Sequence, residues 1–473
     1  MLCYNVGGKS ADDRGNMKTY QDLMAAGDVM EFTRSAITEH KSSSAYKTAS
    51  DATEYAAQRN VTITRYQKLL YDMSGKAVPD NWSANYKLCS NFFDRFTTQQ
   101  TQYLLGNGPE WGEESTAGKL GDDFPQRLRE AGKYSLIQGV SFGFMNLDHL
   151  DVFKLTEFVP LYDEENGALM AGIRFWQISN DKPLRATLYE IDGYTDYIWR
   201  NGEGEAIDEK KTYKMRVTSN EVDGGYIFEG ENYPTFPIVP LWGNQYHQSE
   251  LVGLRSEIDA YDLIKSGFAN DLDDASQIYW ALENAGGMDD IDMAKFIERM
   301  KTVHAAQLDG EGARATAHTI EVPYNAREVM LDRLRADMYE DYMALDTKNM
   351  ASGAVTATQI RAAYEPVNAK ADEWESLVKD FVGGILSVLG IDDKPTFTRS
   401  AIVNETEEVQ TIVNSASYLS SEYVTRKILS VFGDLAKADE VIAEMEKGES
   451  TRFGFGETGE ETPPEAAETP LEV

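Results

Sequence analysis

The sequence predicts an α+β protein in which a strand-rich block lies between helical regions. Three observations carry this. Residues 134–240 hold short β-branched or aromatic runs such as ALMAGIRFWQI and ATLYEI, separated by Asn166-Gly167, Asp192-Gly193, Asn201-Gly202 and Asp223-Gly224. Such dipeptides favour hairpin turns because both residues tolerate positive φ. After Ser249 the apolar residues Leu251, Leu254, Ile258, Tyr261, Phe268 and Leu272 recur mostly at intervals of three or four, the period of one helical face. A further long helical pattern opens near Ala357 and runs to about residue 390.

Taken in order, residues 1–60 are polar, with patchy helical periodicity from Tyr20 to Ile37, and the Ser- and Ala-rich stretch 41–60 reads as a linker or an exposed helix. Leu88, Phe92, Phe96 and Tyr103 fall close to one face of a helix that Gly106 and Pro109 stop. An antiparallel meander then ends at FPIVPLWGN. The first long helix is expected from Ser249 to about Leu282, and a mixed segment with room for one small helix and a strand or two follows it. A second helix is expected from Ala326 to Leu345, with Leu331, Leu334, Met338 and Leu345 on one stripe. Residues 346–355 read as a loop. Thr356 and Gln359 have capping-box spacing and would start a helix at Ala357. Pro366 has no N–H for the carbonyl of Ala362, so a kink is expected there. A last helical region reaches about Gly448. Residues 453–473, with six Glu, three Pro and no basic residue, are expected to be disordered.

A net charge of -34 on 473 residues is incompatible with a tight, delocalised grip on nucleic acid or anionic lipid. The N-terminus lacks a signal-peptide pattern, and the longest apolar run, Phe381 to Ile391, is too short and Gly-rich to span a bilayer. Cys3 and Cys89 have no metal-site or disulfide-framework spacing.

Catalytic chemistry finds little footing. GGKS at 7–10 resembles the end of a phosphate-binding loop, but Cys3 stands where that motif needs Gly. His40, His149, His247, His304 and His318 are scattered, and a surface or capping role suits His149. Asp271, Asp273 and Asp274, and separately Asp289, Asp290 and Asp292, could hold a divalent ion. A solvated acidic helix face explains the first group better, and helix capping the second.

Several stretches together resemble a known family. They are SNFFDRFTTQQTQYLLGNGPEW, LYDEENGALMAGIRFWQI, FPIVPLWGNQYHQSELVGLRSEIDAYDLIKSGFANDLDDASQIYWAL, MASGAVTATQIRAAYEPVNAKADEWE and YLSSEYVTRKILSVFGDLAKADEVIAEMEK. Their order and spacing resemble the SPP1 gp6-like portal proteins of tailed bacteriophages from about Thr62 to Glu446. One departure is the run Val355-Thr356-Ala357 after Ser352-Gly353-Ala354, where the family often has Ala and a long aliphatic residue.

The resemblance implies a portal fold with a β-rich wing, a two-helix stem, a small clip, a long kinked helix and a helical crown. By analogy, 1–60 is an N-terminal segment, 61–248 the wing, 249–284 and 326–345 the stem helices, and 285–325 the clip. Residues 346–355 are then the tunnel loop, 356–399 the long wing helix, 400–450 the crown and 451–473 the acidic tail. The resemblance further implies a ring of about twelve subunits, whose head-to-tail contacts close on themselves. It implies a location at the portal vertex of the virion capsid, and in the host cytoplasm during assembly, with no enzymatic activity, cofactor or membrane contact. Implied partners are further copies of the chain, double-stranded DNA, the terminase large subunit, the major capsid protein, the scaffolding protein and a head–tail adaptor. Thr347, Lys348, Asn349 and Met350 become the expected DNA-channel contacts, with Lys348 foremost because phosphate contacts mostly use Lys and Arg. Ser352, Gly353 and Pro366 become the loop hinge and helix kink, and Asp289, Asp290, Asp292, Lys295 and Arg299 the motor and adaptor contacts. The competing readings are an acidic scaffold or adaptor of the virion, and a metal-dependent DNA-processing enzyme.

Overall fold

The structure, a computed structural model, describes residues 17–71, 75–80, 83–200, 202–219, 226–275, 279–283, 289–302, 314–318, 324–350, 357–400, 409, 412–431 and 437–453. The chain divides into one unit of Met1–Gly353 with Ala362–Ser400 and another of Ala354–Arg361 with Ala401–Val473. GGKS, Asp223-Gly224, Ser352, Gly353, Thr356 and the acidic tail from residue 454 lie outside the described residues.

In the larger unit the N-terminal helices are α1 (Tyr20–Met24), α2 (Val29–Ser42) and α3 (Ser44–Ala56). Each starts on a side-chain cap: Thr19, Asp28 and Ser43 accept backbone N–H groups of the first turn. The expected linker or exposed helix at 41–60 is instead a packed helix. Ala49, Ala52 and Tyr55 of α3 have no exposed surface, because Ala at a three-residue interval lets a neighbouring backbone approach closely. Next come the short α4 (Val61–Arg65), a hairpin of β1 (Leu69–Tyr71) and β2 (Ala77–Pro79), and α5 (Phe92–Leu105), which ends at Gly106. Leu88, expected on the α5 face, precedes that helix and is exposed. The short strand β3 (Pro109–Glu110) then leads to α6 (Glu114–Leu120) and α7 (Phe124–Gln138).

The strand-rich block begins at Val140 rather than Tyr134, since α7 extends to Gln138 and Gly139 closes it with φ +89°. The first, β4 (Val140–Asn146), lies between β5 (His149–Lys154) and β13 (Ile238–Trp242). A five-stranded antiparallel meander follows: β6 (Phe158–Tyr162), β7 (Leu169–Trp176), β8 (Leu184–Glu190), β9 (Gly193–Arg200) and β10 (Glu203–Ala206). β11 (Lys214–Ser219) and β12 (Tyr226–Glu231) form a separate hairpin. Gly167 (+69°) and Gly202 (+91°) occupy the left-handed region at two of the expected turns. An aromatic layer of Phe142, Phe144, Phe153, Phe158, Tyr189, Tyr213 and Tyr233 lies between the sheets. On the other face, Phe32, Ala36 and Ile37 of α2 cover the meander.

After β13 come α8 (Leu251–Ala275), β14 (Tyr279–Glu283), α9 (Asp290–Thr302), β15 (Arg314–His318), α10 (Tyr324–Asp341), α11 (Thr347–Met350) and α12 (Ala357–Leu389). The first long helix is therefore shorter than expected. Tyr279–Glu283 is a strand paired antiparallel with Arg314–His318, in keeping with the strand preference of its Tyr and Trp. The mixed segment does contain one helix and one strand. Thr347–Met350, expected as loop, form a helical turn.

The α12 helix runs uninterrupted through Pro366, which sits on its exposed face where water can take up the Ala362 carbonyl. Its other face buries Trp374, Val378, Phe381, Val382, Ile385 and Leu386 against α5, α6, α7 and the β4–β5–β13 sheet. Beyond it β16 (Thr396–Phe397) pairs with β3. The smaller unit contains α13 (Ser421–Val431) and α14 (Ala438–Phe453), joined by the Arg426–Asp439 ion pair at 2.6 Å.

Truncating the α12 stripe should be costly. Phe381→Ala is expected to lower unfolding free energy in urea by about 3–5 kcal/mol. Ile178→Ala, at a side chain 87% exposed, should stay within about 0.5 kcal/mol of the parent. Equal effects would show that α12 is not seated in the core.

Candidate functional site

The two helices α8 and α10 pack side by side, and several contacts set their register. Arg327 pairs with Asp271 and lies over the ring of Phe268, whose edge meets Tyr324. Toward the other end, Leu251, Leu254 and Ile258 share a buried cluster with Met338, Tyr339 and Tyr342, together with Phe92, Phe93 and Phe96 of α5. Phe96 stacks on Tyr342 with centroids 4.9 Å apart and meets Tyr339 edge-on at the same separation.

The buried stripe of α8 differs from the expected one. Tyr261 and Phe268 are only partly buried and Leu272 is exposed. The buried positions continue from Leu254 and Ile258 to Asp262, Ser266 and Asn270, each four residues on. These three polar side chains hold the extended segment Tyr86–Ser90 against the helix. The Tyr86 N–H donates to Asn270 Oδ1 (2.7 Å), the Leu88 N–H to Ser266 Oγ (3.0 Å) and the Ser90 N–H to Asp262 Oδ1 (2.8 Å). The match is geometric: four helical residues rise about 6 Å and two extended residues about 6.6 Å. Asn60 also donates its amide to Asp262. Burial pushes the Asp262 carboxyl above the usual carboxylate range, against the donors that stabilise its charge.

Between the helices, Glu257 of α8 meets Asp341 of α10. Burial, the hydrogen bond with Asp341 and the nearby Asp337 raise the Glu257 carboxyl to about 7. Arg335 of α10 grips Asp346, which lies just beyond that helix, through two guanidinium nitrogens at 2.9 and 2.6 Å and stacks over Tyr339. Although burial opposes ionisation, this grip holds Asp346 below the ordinary aspartate range.

The expected site residues fall in two places. Thr347 and Lys348 are exposed at the start of α11, where the Lys348 N–H donates to Asp346 Oδ1 (3.1 Å); Asn349 and Met350 continue that turn. Pro366 lies on α12, apart from this turn in sequence. In the expected clip, Asp289 accepts the N–H groups of Ile291 and Asp292, both at 2.9 Å, which is a capping role for α9. Asp290 is in the first turn. Asp292 pairs with Lys295 at 3.6 Å, and Arg299 is exposed. His149 pairs with Asp148 on the surface, and that hydrogen bond raises its pKa. Sequence reasoning missed the Asp262–Ser266–Asn270 trio; its signal is three short polar residues at intervals of four.

Helices and strands are mixed along the chain, in keeping with the expected α+β class. Residues 53–451 match the family described as phage portal protein, SPP1 Gp6-like. The chain belongs to that family. It is 24% identical over 418 residues to the portal protein of Clostridium phage phiCD119, covering 78% of this chain and 87% of that one. It is 23% identical over 392 residues to the portal protein of Bacillus phage SPP1, covering 75% of each. Similar solved chains come from the virion of a native gene transfer agent particle (12% identity, TM-score 0.40, 72% of this chain and 89% of that one) and from the neck of an empty particle of that kind (10%, 0.39, 72% and 90%).

The Glu257 site makes a pH prediction. Unfolded glutamate titrates near ~4.3, so the folded chain holds an extra proton from there up to about 7. That stabilisation is present at mildly acidic pH and is lost as pH rises through about 7. Glu257→Gln should raise the melting temperature at pH 8 and leave it nearly unchanged at pH 5. An equal shift at both pH values would show that Glu257 does not titrate in this window.

Proposed function

We propose that copies of this portal protein close into a ring through which double-stranded DNA is packaged and ejected. The observation that carries the reading is the family match over residues 53–451, which spans both paired helices, the segment between them and α12. In this reading α8 and α10 are the stem, the β14–α9–β15 segment is the clip that meets the packaging motor and later the tail adaptor, and residues 346–355 reach the channel. The smaller unit belongs to the crown.

Acidity suits this role. Between Ser249 and Ala285 there are eight acidic residues and two basic ones. On α10 Glu328, Asp332 and Glu340 are exposed, at intervals of four and eight residues. Facing a channel, such carboxylates repel phosphate, so DNA slides without the counterion release that would make it adhere. Lys348 then supplies a local phosphate contact. Arg335 already occupies the Asp346 carboxylate at 2.6 Å, and Lys348 is exposed.

The triple reversal Glu328→Lys, Asp332→Lys and Glu340→Lys tests the channel. The variant should still assemble and enter capsids, while packaged DNA per capsid falls about tenfold or more, as expected when basic side chains neutralise phosphates. Parental DNA content in capsids carrying the variant would contradict an acidic, DNA-facing stripe.

A further inference from the structure

Among the described residues, the β1–β2 hairpin belongs to none of the buried clusters. All six of its strand residues are exposed, with Tyr71 at 72% and Leu70 at 47%. The register pairs Leu69 with Pro79, Leu70 with Val78 and Tyr71 with Ala77. Side chains alternate along a strand, so both faces of this ribbon are apolar, and both are exposed among the described residues. An isolated two-stranded hairpin is at best marginally stable in water, and exposed apolar patches mark interaction sites.

The base of the hairpin is firmly placed. The Asp80 N–H donates to the Lys68 carbonyl (2.8 Å), and the Asp80 carboxylate, without exposed surface, lies 3.9 Å from the Lys68 ammonium. The flanking chain is pinned to α8, by Asn60 at Asp262 on one side and by Tyr86 at Asn270 on the other. The hairpin therefore leaves the stem between those two levels. Charge favours an acidic partner: Arg65–Ser90 contains four basic residues and two acidic ones, in a chain of net charge -34.

We infer that this hairpin docks on the stem helices of the adjacent copy in the ring. The inference rests on the ring reading. A cyclic operator preserves height along its axis, so with the stem helices along that axis the hairpin meets its neighbour at the same level. There the stem exposes Leu272 near the end of α8 and Val329 and Met330 on α10. The Arg327–Asp271 pair brings the start of α10 level with the end of α8. These apolar side chains lie among acids that outnumber bases on both helices, complementing Arg65, Lys76 and Lys87 of the hairpin segment.

Two variants of the full chain test this, with ring fraction followed by solution mass and electron microscopy. Leu70→Asp with Tyr71→Asp should leave the circular dichroism spectrum and melting of the isolated subunit unchanged. The concentration needed for half-maximal ring assembly should rise about tenfold or more, since two large apolar contacts are lost from an interface core. Independently, Val78→Cys with Leu272→Cys, with Cys3 and Cys89 replaced by Ser, should give a ladder of chain multiples with a short bismaleimide linker, absent from either single variant. Rings at the parental concentration, or a cross-link confined to single chains, would overturn the docking and leave the ring reading standing. A parental protein that forms no rings would remove both.

Discussion

The burial of one face of α12 is the constraint on which the rest of the larger unit depends. Trp374, Val378, Phe381, Val382, Ile385 and Leu386 recur at helical intervals and fill the space between α7 and the β4–β5–β13 sheet. Gly143 lies so close to Phe381 that a Cβ there would stand 2.5 Å from its ring. Packing of that tightness fixes helix and sheet relative to each other. It also fixes the chain beyond α12. Arg399 reaches back to Asp372, Glu375 and Asn368, and the Ser400 N–H bonds the Tyr103 carbonyl.

A second constraint links this body to the paired helices. The N-terminal part of α8 is held by apolar and aromatic packing with α5 and α10, while its C-terminal part is held by the polar ladder to Tyr86–Ser90. One buried stripe thus changes chemistry midway without changing its helical interval. A polar ladder specifies register more narrowly than apolar contact does, because each donor has one acceptor and an unmade bond in a buried place is expensive. This places the β1–β2 hairpin, which belongs to none of the apolar clusters among the described residues.

Much of this architecture was legible in the sequence where one periodicity ruled. The long helix from Ala357 has a clean apolar stripe, and the meander has glycine-containing turns, so both were readable. Three places were not. The α3 stripe consists of Ala49, Ala52 and Tyr55, and small residues look like a linker until a partner backbone lies against them. Tyr279–Glu283 reads as the end of the preceding helix, and only its pairing with Arg314–His318 shows it to be a strand. The Asp262–Ser266–Asn270 stripe reads as solvated surface, because single-sequence patterns do not show an extended segment 172–184 residues away covering it. Of the candidate site residues, Asp289 was recognisable as a cap from Asp before a helical run. That Arg335 holds Asp346, eleven positions away in sequence, beside an exposed Lys348 was not readable from spacing.

The chain is a member of the portal family, and the proposal that its paired helices flank a DNA channel is tested most directly by the geometry of the assembled ring. The decisive measurement is an electron cryomicroscopy reconstruction of the purified assembly, calculated without imposed symmetry. The account predicts a closed ring with α8 and α10 of every copy beside a through-hole wide enough for duplex DNA, about 20 Å or more given the groove and backbone dimensions of B-form DNA, with the turn at Thr347–Met350 nearest the axis. A closed assembly without a through-hole, or one whose α8 and α10 lie on its outer rim, would contradict it.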